Sequence, residues 1–301
     1  MDQQMNQAQE KVTEGRKTGE SSHGIHRVGC LAQCPRCFGY KYLLRLRPKV
    51  CKDALARGVC NHEGLEAYYS GRNWLEAIMT VDSYYAAMAH EAAKIVELYT
   101  QVYPIDKRWD EGKLTVRESA GEVIFVEQEF NLPICGGHML TRRLDIGLKT
   151  KQGKLKIGDH KSAARPTDRV KKTELEWSLV TQDMIGRNVI APMYGLEWGG
   201  VVLNMLPTAK GAKLKDFVRA ELRYTKEFTS ELERSIGYWM TIEESILTGF
   251  TSGTLDPWDL AMTGQCFPNG YKCDYQHLCL RGKMELGRYE VEPAKEEPLV
   301  W

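Results

Sequence analysis

The chain carries almost no net charge, no apolar run of membrane-spanning length and no internal repeat. Its 41 Lys and Arg against 40 Asp and Glu leave +1 at neutral pH. That excludes a uniformly basic or acidic protein, so any nucleic-acid footprint has to be a local patch rather than a total. The missing apolar run excludes a membrane helix. The first 24 residues, rich in Gln, Glu, Lys, Ser and Gly, are too polar for a secretory signal and too poor in apolar side chains to join a core. Residues 1–24 are therefore expected to be a disordered tail, and the protein is expected to stay in the cytoplasm without membrane contact.

What is present suits a single core. A chain of 301 residues with 43% hydrophobic and 27% charged residues has an ordinary globular composition and demands no second independent domain. Nine cysteines are many for such a protein, and the odd count does not fit a complete disulfide framework. In a reducing compartment they read as free thiols or metal ligands.

The first third has helical periods. "CPRCFGYKYLLRL" (Cys34–Leu46) reads as a turn entering an aromatic-rich helix that Pro48 ends. Asp53–Tyr69 reads as a helix with Leu55, Val59, His62 and Glu66 along one side, and Asn73 to about Tyr103 continues helical. Beyond Ser119 the period changes to two. Glu122–Leu132, Met139–Thr150 and Lys154–Ala163 are strand candidates in an antiparallel meander, with "KQGK" as the turn between the last two. Thr173 to about Tyr194 reads as a helix, Gly199–Leu206 as a short buried strand and Lys215 to about Leu247 as a long helical stretch. The order predicts an α/β fold, a mixed sheet flanked by helices with helical additions at both ends.

The chemistry gathers at the hairpin. In "KLKIGDHKSAA", Leu155 and Ile157 alternate as in a half-buried strand, yet the same face continues into Asp159 and Lys161. Asp145 lies six residues before the turn Lys151–Lys154 and Asp159 five after it, which makes the two carboxylates near cross-strand neighbours. Such a pair needs positive charge between its members, and hard oxygen ligands with open positions suit Mg²⁺ or Mn²⁺. Lys161 would then position the attacking water or stabilise charge on phosphate oxygens. From Met139 to Lys172 there are eleven Lys or Arg against three Asp, a local basic patch around this site.

"LTRRLDIGLK" followed by "IGDHKSA" resembles the Asp...(Asp/Glu)-x-Lys core of the PD-(D/E)XK nuclease superfamily. "GVCNHEGLEAYY", with Gly58 and His62, resembles the Gly-x-x-x-His mark of its RecB-like branch. The resemblance implies a restriction-endonuclease-like fold and a metal held by His62, Asp145 and Asp159, with Lys161 catalytic. It also implies a supporting Gln on the following helix, a position that Gln182 fits, although Gly186 stands where the branch carries a Tyr. Glu127 and Glu129, in a glutamate-bearing strand seen in relatives, are accessory candidates. In the iron–sulfur members, such as the CRISPR-associated exonucleases, one N-terminal and three C-terminal cysteines hold a [4Fe-4S] cluster. Cys34 aligns best with the first, and Cys266, Cys273 and Cys279 with the others, while thiolates alone suit Zn²⁺ equally. Cys30, Cys51, Cys60 and Cys135 read as ordinary thiols.

The expectation is a single nuclease domain over 25–288: a helical part 25–110, a catalytic core 111–210 and a helical part 211–288 bearing the cysteines, followed by a tail, 289–301. The cysteine centre would join two ends that otherwise have little to hold them together. The implied activity is Mg²⁺- or Mn²⁺-dependent hydrolysis of DNA, with an exonuclease in recombination or processing favoured. Its substrate is single-stranded or duplex DNA ends, and a recombination protein is a possible partner. Arg142, Arg143, Arg165, Arg169, Lys171 and Lys172 would hold phosphates without reading sequence. Compact members of this kind occur in bacteriophage genomes, which would place the protein in a host cytoplasm. The alternative is a module of the same fold that binds DNA or a partner without cutting, stapled by a structural metal.

Overall fold

Hydrophobic periods of 3.6 and 2 follow one another along the chain, and the structure alternates between helix and sheet accordingly. The computed structural model describes residues 24–110, 113–264 and 273–292. It opens with α1 (Ile25–Gln33), the short α2 (Pro35–Phe38) and β1 (Leu46–Pro48). Then come α3 (Asp53–Tyr69), α4 (Trp74–Met79) and α5 (Ala89–Val102). Five strands follow: β2 (Asp106–Asp110), β3 (Lys113–Glu118), β4 (Gly121–Pro133), β5 (Met139–Lys149) and β6 (Lys154–Ala163). After α6 (Pro166–Thr173), α7 (Trp177–Ile185) and the single turn α8 (Ala191–Met193) the chain forms β7 (Glu197–Pro207) and β8 (Val218–Leu222). The last elements are α9 (Lys226–Thr251), α10 (Gln276–Arg281) and β9 (Tyr289–Val291).

β2 to β8 form a seven-stranded sheet in sequence order. Every neighbouring pair is antiparallel except β6 and β7, whose parallel pairing requires the crossover that carries α6, α7 and α8. The result is the mixed sheet with flanking helices that the sequence predicts. On one face α1, α7 and α9 pack Val28, Met184 and Ile236 against Leu140, Leu144, Leu155 and Ile157. On the other, α3, α4 and α5 pack Leu65, Ile78 and Val96 against Val116, Ile146, Leu148 and Leu206. The meander is tight at two glycines. A Cβ on Gly147 would lie 2.1 Å from the Phe125 ring, and one on Gly158 would lie 2.5 Å from Ile146 Cγ2.

Several elements differ from the sequence reading. The helix expected over Asn73–Tyr103 is two, because Asn73 caps α4 and Asp82 accepts the Tyr84 N–H in a turn between α4 and α5. The stretch Lys215–Leu247 contains β8, and its helix starts only where Thr225 caps α9. The helix expected over Cys34–Leu46 is α2 plus a π turn, Gly39–Leu43. The one expected from Thr173 begins at Trp177 and passes into a second π turn, Gly186–Ile190. β2 and β3 were hidden by their polarity, since Val116 is their one buried apolar residue.

The two ends of the described chain are joined by strand pairing and apolar packing. β1 pairs antiparallel with β9, and Tyr40, Leu46, Tyr275, Leu278 and Tyr289 bury one another. Tyr275 donates to the Leu46 carbonyl at 2.6 Å, and the Arg36 side chain donates to the Leu260 carbonyl at 2.8 Å. The expectation that little else joins the ends is therefore corrected: an apolar cluster and a two-stranded sheet do so.

Candidate active site

Three carboxylates stand in a row across three neighbouring strands. Register pairs Gln128 with Leu144 and Val126 with Ile146, which sets Glu127 opposite Asp145. Ile146 pairs with Gly158, so the next position sets Asp145 opposite Asp159. Both β4 and β5 break their regular pattern here. Glu127 has φ +47°, and β5 sends Leu144 to one core but Ile146 to the other, so the strand changes face at Asp145. Left out of regular alternation, Glu127 and Asp145 meet under α3, where His62 Nδ1 lies 3.6 Å from Glu127 Oε1 and 3.6 Å from Asp145 Oδ2. The donor atoms of His62, Glu127 and Asp145 all lie within 4.8 Å of one another. Asp145 Oδ2 also accepts the His160 backbone N–H at 2.7 Å.

Asp159 is held differently. It is 3% exposed, and its Oδ1 accepts a hydrogen bond from the side-chain amide of Gln182 on α7. Lys161 Nζ stands 3.1 Å from Oδ2, and Arg142 Nη2 stands 3.8 Å from Oδ1. Burial pushes the Asp159 carboxyl up, but Lys161, Arg142 and Gln182 outweigh it and hold the group below the usual range. Asp145 goes the other way. Burial raises it, His62 opposes the rise, and the charges of Asp159 and Glu127 add to it. For His62, burial favours the neutral ring, yet Asp145 and Glu127 raise its pKa to about 9.

This arrangement fits a hard divalent cation. Two carboxylates and an imidazole converge, and the His62 side chain is 40% exposed and so leaves a path to solvent. Oxygen donors with one ring nitrogen suit Mg²⁺ or Mn²⁺.

Of the expected site residues, the fold brings together His62, Asp145, Asp159, Lys161 and Gln182. Of the two accessory candidates, it brings Glu127 beside His62 and Asp145 and leaves Glu129 exposed. The nearest side chains to Asp159 are Gln182, Lys161 and Arg142 rather than His62. Gly186 replaces the Tyr of the motif because a Cβ there would lie 2.2 Å from the Trp198 ring. Among the basic residues, Arg142 is corrected: it is 7% exposed and aimed at Asp159, so it belongs inside the site rather than on a phosphate track. Arg143 pairs with Glu127 at 2.9 Å and Arg169 with Glu176 at 2.6 Å, whereas Arg165, Lys171 and Lys172 are exposed.

Described cysteines from both ends of the chain come close where those ends are joined. Cys37, which the sequence reading passed over for Cys34, lies 3.7 Å from Cys30 and contacts Cys273, while Cys273 and Cys279 pack in the same tyrosine cluster. Cys266 lies outside the described residues. Among the described residues no three cysteine sulfurs come within 4.8 Å of one another.

The fold and the carboxylate row define a nuclease-type site on a mixed α/β sheet, consistent with a restriction-endonuclease-like fold. The sequence profile of the PD-(D/E)XK nuclease superfamily matches residues 25–280, and the chain belongs to that superfamily. No curated protein matches the chain. Among the described residues no helix is long and apolar enough to cross a membrane.

Proposed function

We propose that this protein is a Mg²⁺- or Mn²⁺-dependent deoxyribonuclease, an exonuclease acting on DNA ends in recombination or processing. The observation that carries the reading is the row Glu127, Asp145 and Asp159, with His62 over one end and Lys161 beside the other. The exonuclease and recombination roles, a recombination partner and a host-cytoplasm setting rest on the resemblance of the Gly58 and His62 motif to the RecB-like branch.

His62, Glu127, Asp145 and Asp159 would hold the cation, which when bound would supply a Lewis acid for the scissile phosphate and a water of lowered pKa. Gln182 fixes Asp159 in one rotamer. Lys161 directs its ammonium toward the space beside Asp159, where it orients the attacking water and offsets charge growing on the phosphate oxygens. Arg142 adds a second, buried positive charge to the same space. Arg165, Lys171 and Lys172 take the flanking backbone phosphates.

At the joined ends, Cys37 or Cys34 with Cys266, Cys273 and Cys279 holds a [4Fe-4S] cluster in preference to Zn²⁺. The contact of Cys37 with Cys273 supports that pairing of the two ends.

The test is a time course on single- and double-stranded DNA labelled at either end, with Mg²⁺, Mn²⁺ or EDTA. Metal-dependent shortening from one end is expected. Binding without cleavage, or cleavage undiminished by EDTA, overturns the reading.

A further inference from the structure

Behind the carboxylate row, on the face of β6 that meets α3, two polar side chains are buried with unused hydrogen-bonding capacity. His160 is 5% exposed, and neither of its ring nitrogens has a partner. The ring stacks on Tyr69 with centroids 5.8 Å apart and meets Tyr99 edge-on at 5.6 Å. The tyrosine hydroxyls do not serve it: they bond each other at 2.7 Å, and Tyr69 also donates to Glu118 at 3.0 Å. Asn61, beside His62 on α3, donates to Ser162 Oγ at 2.8 Å but leaves its buried Oδ1 unpaired.

A third ring faces His160. His62 stands edge-on to it with centroids 6.4 Å apart. An imidazole nitrogen sits about 1.2 Å from its ring centre, so the closest nitrogens are at least about 4 Å apart, beyond a direct hydrogen bond and within the span of one bridging water. His62 already turns Nδ1 toward Glu127 and Asp145. For Nδ1 to present a lone pair to a cation, the proton must sit on Nε2, and that N–H needs an acceptor.

We propose that His160 is a positioning residue for His62: a buried water between the two rings accepts the His62 Nε2–H and fixes the tautomer that presents Nδ1 to the metal. The same water donates in turn to a lone pair on one His160 ring nitrogen. The water satisfies groups that are otherwise buried without partners, as buried waters do. The inference rests on the reading of His62 as a ligand and extends it to a residue that no motif marks.

The test is direct titration of Mn²⁺ into wild type, His62→Ala, His160→Phe and the double variant, with thermal stability measured alongside. His160→Phe is expected to weaken Mn²⁺ binding about tenfold, the low end for an outer-shell partner. His160→Gln, which keeps a donor and an acceptor, should recover most of the loss, and in the His62→Ala background His160→Phe should change nothing. Nitrogen chemical shifts of His62 should report one tautomer in wild type and a mixture in His160→Phe. Should the Phe variant fail to fold, His160→Met serves the same cycle. Unchanged Mn²⁺ affinity in His160→Phe, with a loss in His62→Ala, overturns this inference alone, as does an equal loss in both backgrounds. Unchanged affinity in His62→Ala removes the ligand reading and this inference with it.

Discussion

Gln182 donates its side-chain amide to Asp159 Oδ1, and both side chains are sealed between α7 and β6. A buried carboxylate deprived of a donor keeps its desolvation cost, about 1–3 kcal/mol for a lost partner. Gln182→Leu should therefore lower stability by that order and activity by about tenfold or more. Denaturant melts and initial rates at saturating metal check both, and a wild-type rate would leave Gln182 a packing residue.

Asp159→Ala and Lys161→Ala should each abolish cleavage while leaving the fold and DNA binding in place. Removing the carboxylate unmakes the metal site, and removing the ammonium leaves the metal but not the oriented water. Gel-shift binding beside a cleavage assay separates the two. Near wild-type turnover in either variant removes the hairpin from the mechanism.

Glu127 separates backbone from side chain. Its φ of +47° suits glycine and strains a β-branched residue. Glu127→Gly should raise the metal requirement with a modest change in melting temperature. Glu127→Val should raise it equally and add about 1–3 kcal/mol of destabilisation from strain. Equal melting temperatures would refute the backbone strain at Glu127.

The pH dependence follows from His62. Its folded pKa of about 9 lies above the ordinary imidazole value of 6.5, since Asp145 and Glu127 outweigh burial. In metal-free protein its contribution to stability is complete below the unfolded value and fades as pH rises through the folded one. A cation must displace that proton, so Mn²⁺ affinity should climb from pH 6.5 to 9, with proton release seen by calorimetry in buffers of different ionisation enthalpy. Affinity that is flat across this range would contradict the pairing of His62 with the carboxylates.

At the cysteines, protein purified without oxygen should be brown and contain iron and acid-labile sulfide. Cys37→Ser and Cys279→Ser should bleach it, whereas Cys135→Ser should not. Stoichiometric zinc in a colourless preparation would keep the metal and reject the cluster.

The strands β4, β5 and β6 and the meeting of Asp145 with Asp159 were legible because alternation and one short turn fix register. The place of Gln182 was legible only through the resemblance, which puts a Gln on the helix after the Lys, and its burial was not legible at all. Glu127 could be named only as an accessory on a level with Glu129, because regular alternation puts both on one face, and the positive φ that separates them is invisible in the sequence. Arg142 misled for a related reason: next to Arg143 it reads as surface charge, yet β5 turns it inward. Cys37 lost to Cys34 because sequence distance says nothing of which sulfur of a short helical turn points at its partners.

The β1 and β9 pairing joins Leu46 to Val291, among the most distant neighbours in the chain. During synthesis, residues near the start must therefore wait for nearly the whole chain to emerge before that strand finds its mate. The central meander and α3, whose contacts are made from nearer segments, have no such delay. Ribosome-stalled chains ending before residue 289 should hold a protease-resistant centre while the segment around Tyr40 remains open to cleavage, and release of the full chain should close it.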